Sequence, residues 1–135
     1  MRITGGLIII ECTELSIMEA LTGKRLSMDD LSETLARENQ SKAYYKEFLK
    51  LQAERYYPST LTLQMYMLFA THLNIGTPET LDLFRSFAED IKQYPKYDGT
   101  RIVWVHLLPF YQETLKHYFN LNRDYQIQCT EMNLD

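Results

Sequence analysis

The stretch that most restricts the fold lies near the carboxyl end, where RIVWVHLL at residues 101–108 is β-branched, aromatic and apolar nearly throughout. Such a run suits a strand covered on both faces, because a solvated face would bring in alternating polar residues. Residues 125–129 alternate like a second strand. Between the two, Tyr111, Leu115 and Tyr118 or Phe119 fall at the spacing of a short helix, and Pro109 breaks the chain ahead of it. Strand, helix, strand in that order predicts a parallel pair joined by a right-handed crossover. Two parallel strands are too few to cover themselves. The pattern therefore predicts the start of a Rossmann-like α/β domain, either truncated or completed by another chain, and truncation is the preferred reading.

The rest reads as helix. Leu7 to Ile10 fit a short strand or a frayed helix start equally well. Leu15, Met18 and Leu21 are helically spaced, with Gly23 as a stop signal. Ser27 is placed to cap a long helix reaching about Arg55, with Asp29 and Asp30 at the positive end of its dipole. Its middle, residues 37–42, is polar all round and predicts a solvated or interdomain stretch. Residues 60–73 are apolar on most faces and predict a buried helix, ended by Gly76. Thr77, Pro78 and Glu79 open the next helix, whose stripe is Leu81, Phe84, Phe87 or Ala88, and Ile91, until Tyr94 and Pro95 stop it. The expected organisation is an unmatched segment 1–13, a helical region 14–96 and the α/β start 97–135. The fold class is mainly α with a C-terminal β-α-β unit.

Composition narrows the functions. The chain has 135 residues, 45% of them hydrophobic, which is ample core material for one domain. A net charge of −4 gives no footprint for phosphate backbones, so nucleic acid is a poor partner. No apolar stretch is long enough for a signal peptide core or a membrane span. The two cysteines, Cys12 and Cys129, form no C-x-x-C pair and no disulfide framework, which suits a reducing, cytoplasmic setting.

In an open α/β sheet the ligand crevice lies beyond the carboxyl ends of the strands. Here that is the loop 106–111, whose candidate ligand-facing residues are His106, Pro109 and Tyr111. His106 would serve as proton donor or polar contact. The ordinary alternative, and the commoner one, is a strand-end histidine bonded to backbone. That turn has no glycine-rich dinucleotide fingerprint, and the chain has no Walker-type phosphate loop. His72, His106 and His117 lack zinc-binding spacing, and His72 on an apolar helix reads as a satisfied core residue. Cys129 reads as a small buried hydrophobe at a strand end. The pairs Tyr44, Tyr45 and Tyr56, Tyr57 fit helix packing or a partner surface equally well. No catalytic residue and no metal ligand is assigned.

Several segments taken in order resemble the 2-hydroxyacyl-CoA dehydratases of the 2-hydroxyglutaryl-CoA dehydratase type. They are LTGKRLS at 21–27, then Asp30 and Leu31, Glu38 and Asn39, GTPE at 76–79 and RIVWVHLLP at 101–109. The resemblance covers residues 14–135. It implies an oxygen-sensitive lyase of anaerobic metabolism that removes water from a 2-hydroxyacyl-CoA through a ketyl radical, after an ATP-dependent activator has injected one electron. It also implies a cysteine-bound [4Fe-4S] cluster in the parent enzyme. Neither Cys12 nor Cys129 stands where that family's ligands would, so the expectation is that this chain alone binds no cofactor and meets acyl-CoA only within the parent enzyme. The unmatched residues 1–10 suit a degraded or restarted reading frame.

The leading expectation is thus a dehydratase fragment, inactive alone, whose partner is another protein chain or the missing remainder of the subunit. The rival is a small helical interaction module. A third reading is a small-ligand binder using the loop 106–111.

Overall fold

The computed structural model describes residues 5–105, 115–119, 121 and 123–130. Two compact units divide the chain, one reaching to Glu33 and one starting at Thr34. In the first, helix α1 runs over Gly5–Thr22, so the segment around Leu7 is helical rather than a strand. Gly23 ends α1 at φ 66°, a left-handed conformation that costs glycine nothing. Helix α2 spans Met28–Gln52. Ser27 caps it as expected, its Oγ accepting from Asp30 N at 3.2 Å.

The second unit adds helices α3 (Leu61–Leu73) and α4 (Pro78–Asp90) and strands β1 (Thr100–Trp104) and β2 (Tyr125–Thr130). Both helices are capped by threonine: Thr77 Oγ1 accepts from Thr80 N, as its sequence signal predicts, and Thr60 Oγ1 accepts from Leu63 N, a cap the sequence reading did not name. A single 3₁₀ turn, Ile91–Gln93, carries α4 to its proline stop. The core joins Phe48 of α2, Met67 and Ala70 of α3, and Phe84, Ala88 and Ile91 at and after α4, with Tyr57 from the α2–α3 loop. Phe48 meets Tyr57 edge-on at 5.1 Å, and Tyr45 lies 4.8 Å from Phe84. A smaller cluster under the sheet gathers Leu61 and Ile127 with Met65, Ile102, Trp104, Leu115 and Phe119.

The strands are parallel, as the strand–helix–strand order predicts. Their approach to the helices is set by backbone bonds across 40-odd residues of chain: Tyr56 N donates to Pro95 O, and Tyr97 N to Glu54 O. These put the start of β1 beside the end of α2. The described fold is accordingly mainly helical with a two-stranded parallel sheet.

Three expectations need correction. The polar middle of α2 is solvated on one side only: Asn39, Gln40 and Lys42 are exposed, but Glu38 and Ser41 are buried. Its partner is the α3–α4 turn, where Gly76 N donates to Glu38 Oε2 at 3.0 Å and Arg37 Nε donates to Gly76 O at 2.7 Å. Lys42 neutralises the other oxygen of Glu38, so the buried carboxylate is fully partnered. Helix α3 is not buried all round, since Tyr66, Phe69 and Leu73 are exposed. Its apolar density exceeds what one packed face can cover. Finally, β1 is not covered on both faces. Val103 is 54% and Val105 69% exposed, while Ile102 and Trp104 point into the small cluster. Coverage is uneven across the described sheet: on β2 both Gln126 and Ile127, which point to opposite faces, are fully buried, whereas on β1 the Val103 side stays open.

Gly76 concentrates these constraints. It holds φ 68°, and a Cβ there would lie 2.6 Å from Thr34 O and against Thr34 Cγ2. Replacing Gly76 by Ala is expected to destabilise the second unit by about 2 kcal/mol or more, read as a lower urea midpoint at unchanged slope.

Candidate functional site

The loop residues His106, Pro109 and Tyr111 lie outside the described residues, as do residues 107, 108 and 112–114. What the structure does place is the approach to that loop. Trp104, last residue of β1, packs edge-on against Phe119 at 6.2 Å. His72 is exposed on α3, not in the core, and its Nδ1 lies 2.9 Å from Leu68 O. Its helix shows three large apolar side chains to solvent on the same stretch, so apolar neighbours in sequence do not imply burial. His117 is exposed in a 3₁₀ turn, Leu115–His117. Among the described residues no three His, Cys, Asp or Glu side chains converge as a metal site would require.

The polar groups that do converge are ones the sequence did not single out. Gln126, on β2 and fully buried, points at the frayed end of α2. Its Oε1 accepts from Tyr57 N at 2.9 Å, and its Nε2 donates to Gln52 O at 3.2 Å and Arg55 O at 3.0 Å. Helix ends leave such carbonyls without intrahelical donors. Here a strand side chain supplies the donor. In return, Gln52 Nε2 and Gln64 Nε2 each reach Ile127 O at 3.4 Å. Gln64 Nε2 also lies 3.3 Å from Ser59 Oγ. The available signal was Gln126, Ile127, Gln128 inside a strand: amides there must find partners if buried.

Beside this seam lie the tyrosines. Tyr57 is buried, and its hydroxyl donates to Asp90 Oδ2 at 3.0 Å. Burial pushes its pKa well above the ordinary 10, and the Asp90 carboxylate, as hydrogen-bond acceptor and as neighbouring charge, adds to the shift. Burial also raises Tyr56 and Tyr97, against the opposing positive charges of Arg123 and Arg101. Tyr56 stacks on Tyr97 at 6.3 Å with the Arg123 guanidinium 5.7 Å from its ring. Of the two readings open for the paired tyrosines, packing is what the second unit uses: Tyr44 and Tyr45 lie against the main core, and Tyr57 is part of it.

Chemically, this arrangement binds polypeptide to itself. Glutamine amides do not titrate, and a tyrosine held protonated is no base. The seam therefore fixes geometry rather than transferring protons.

The comparisons with known proteins give the framework. Residues 15–134 match the family described as 2-hydroxyglutaryl-CoA dehydratase, D-component, and the chain belongs to that family. Neither the curated proteins nor the solved structures give a match. The resemblance carried by residues 21–27, 76–79 and 101–109 thus holds at the level of the family. No described helix is long and apolar enough to cross a membrane.

The iron–sulfur cluster associated with the family is not matched by this donor set. Such clusters take three or four thiolates. The sequence supplies two, Cys12 on α1 and Cys129 on β2, in different compact units.

Two tests follow from the seam. Replacing Gln126 by Leu strands Tyr57 N–H and two carbonyls, and is expected to cost about 2–4 kcal/mol in urea unfolding. The tyrosines set an alkaline limit. A pKa raised on folding gives stability that is whole below 10 and lost as pH climbs toward the folded value, because the unfolded chain ionises first. Stability should fall as pH is taken above 10, and the Tyr57→Phe protein should decline less steeply than wild type when midpoints are compared across that range.

Proposed function

We propose that this chain is a scaffold portion of a 2-hydroxyacyl-CoA dehydratase component, inactive alone, whose α/β domain is completed by further polypeptide. The parent reaction is the radical dehydration of a 2-hydroxyacyl-CoA in an enzyme with a [4Fe-4S] cluster, and the family description as a D-component fits one part of a multi-component system. The observation that carries the reading is the sheet. Val103 on β1 and Val105 just past it are both more than half exposed. A parallel sheet ordinarily has both faces covered. The donor set supports the same reading, since two thiols fall short of a cluster.

Addition of further strands is directed to one side. On the edge of β2, Ile127 O is occupied by the amides of Gln52 and Gln64. The β1 side is where a further strand would extend the sheet, beside the exposed valines. This completing strand belongs to the remainder of the component or to a partner chain.

A second reading, the small helical interaction module, draws on the first unit. Leu15, Met18 and Leu26 are exposed there, and with Glu14 and Leu31 they line an open apolar groove of about 490 Å³. Exposed apolar surface of this kind marks interaction sites.

The experiment is iron and acid-labile sulfide analysis of anaerobically purified chain, with a dehydratase assay in the presence of reductant and ATP-dependent activator. The expected result is iron far below one cluster per chain and no turnover. About four iron atoms per chain, the content of a cubane cluster, would overturn the scaffold reading.

A further inference from the structure

Strand β2 carries one residue more than β1 along their shared ladder. Ile102 faces Ile127 and Val103 faces Cys129, which makes Gln128 the extra residue of a bulge. Bulges are rare between parallel strands, and where they occur they re-aim a side chain. The Gln128 side chain lines a small cavity against Phe48, Gln52, Gln64 and Met67. Its Nε2 is buried and makes no hydrogen bond to protein. The neighbouring amide nitrogens are all engaged: Gln52 Nε2 and Gln64 Nε2 on Ile127 O, Gln126 Nε2 on Gln52 O and Arg55 O.

The cavity leaves about 10 Å³ for the centre of a water molecule. That is on the scale of a single buried water and too small for any larger guest. No charged side chain lines it, so an ion would find no counter-charge. Three glutamine amides around one apolar-floored space offer a mixed set of donors and acceptors, the partners a buried water needs.

We infer that this cavity is a binding site for one structural water, which accepts from Gln128 Nε2 and donates to amide oxygens of the surrounding glutamines. The water joins β2 to helices α2 and α3 at the bulge, where the regular ladder is interrupted. It completes polar pairing in a seam whose other members bond directly.

Two measurements on the full chain test this. In the first, the isotope-labelled protein is examined for transfer of magnetisation from water to the Gln128 side-chain amide. A water held longer than molecular tumbling gives NOE and ROE signals of opposite sign there. Their absence at Gln128 would overturn the proposal. The second is the Gln128→Met variant, similar in volume and without a donor. With water bound, the substitution removes a partner from a hydrated site, and the unfolding equilibrium constant should rise about 3- to 10-fold. In a dry cavity it would instead remove an orphaned donor and lower that constant by a comparable factor. An unchanged or lowered constant contradicts a bound water.

Discussion

Helix α2 ends against a strand that lies more than 70 residues further along the chain, and a buried glutamine of that strand takes up the helix end. Gln126 takes the carbonyls of Gln52 and Arg55 and the N–H of Tyr57 together. A helix terminus buried without such partners would forfeit much of what its packing contributes. Local turn bonds from Glu54 N and Arg55 N serve Leu51 O, but the buried Gln52 carbonyl is met by Gln126, and Tyr57 then enters the aromatic core. Helices and sheet in the second unit therefore depend on one another: α2 can bury its end only if β2 is in place. In turn, β2 keeps its outer carbonyl at Ile127 satisfied only if α2 and α3 present Gln52 and Gln64.

Features whose causes are local were legible in the sequence. Ser27 and Thr77 each bond to a backbone N–H three residues on, and the left-handed Gly23 and Gly76 close helices within one turn. Such signals need no tertiary knowledge. The parallel pairing was legible for a related reason, since some twenty residues separate β1 from β2, room for a crossover and far more than a hairpin turn needs. The middle of α2 was misread because its partner is remote. Nothing within residues 37–42 indicates that Gly76, 38 positions later, will offer both a donor and an acceptor. A polar run looks the same whether water or a distant turn satisfies it. The glutamine seam escaped notice for the same reason. Read alone, Gln126 and Gln128 look like the solvent side of an alternating strand, whereas in the fold they meet the helices.

The family assignment and the site stand at different levels. Membership rests on residues 15–134 as a whole, while chemistry requires particular groups in particular places. The groups found together in the described residues are neutral amides and phenols held protonated. They form a joint between helices α2 and α3 and strand β2. A joint of that kind is what an enzyme needs beneath its site, where the supporting elements must not yield while loops above them do.

The joint also gives the sheet a direction of growth. A strand edge with free carbonyls and amides accepts whatever extended chain reaches it. At Ile127 the two glutamines have already claimed that position, and the helices carrying them stand in the way of another strand. On β1 the exposed Val103, and Val105 just past it, are poor company for water and good neighbours for further β-branched side chains. The same amides that bury the end of α2 thus leave the sheet with one closed side and one receptive one. Extension from β1 would lay further β-branched side chains beside the exposed Val103.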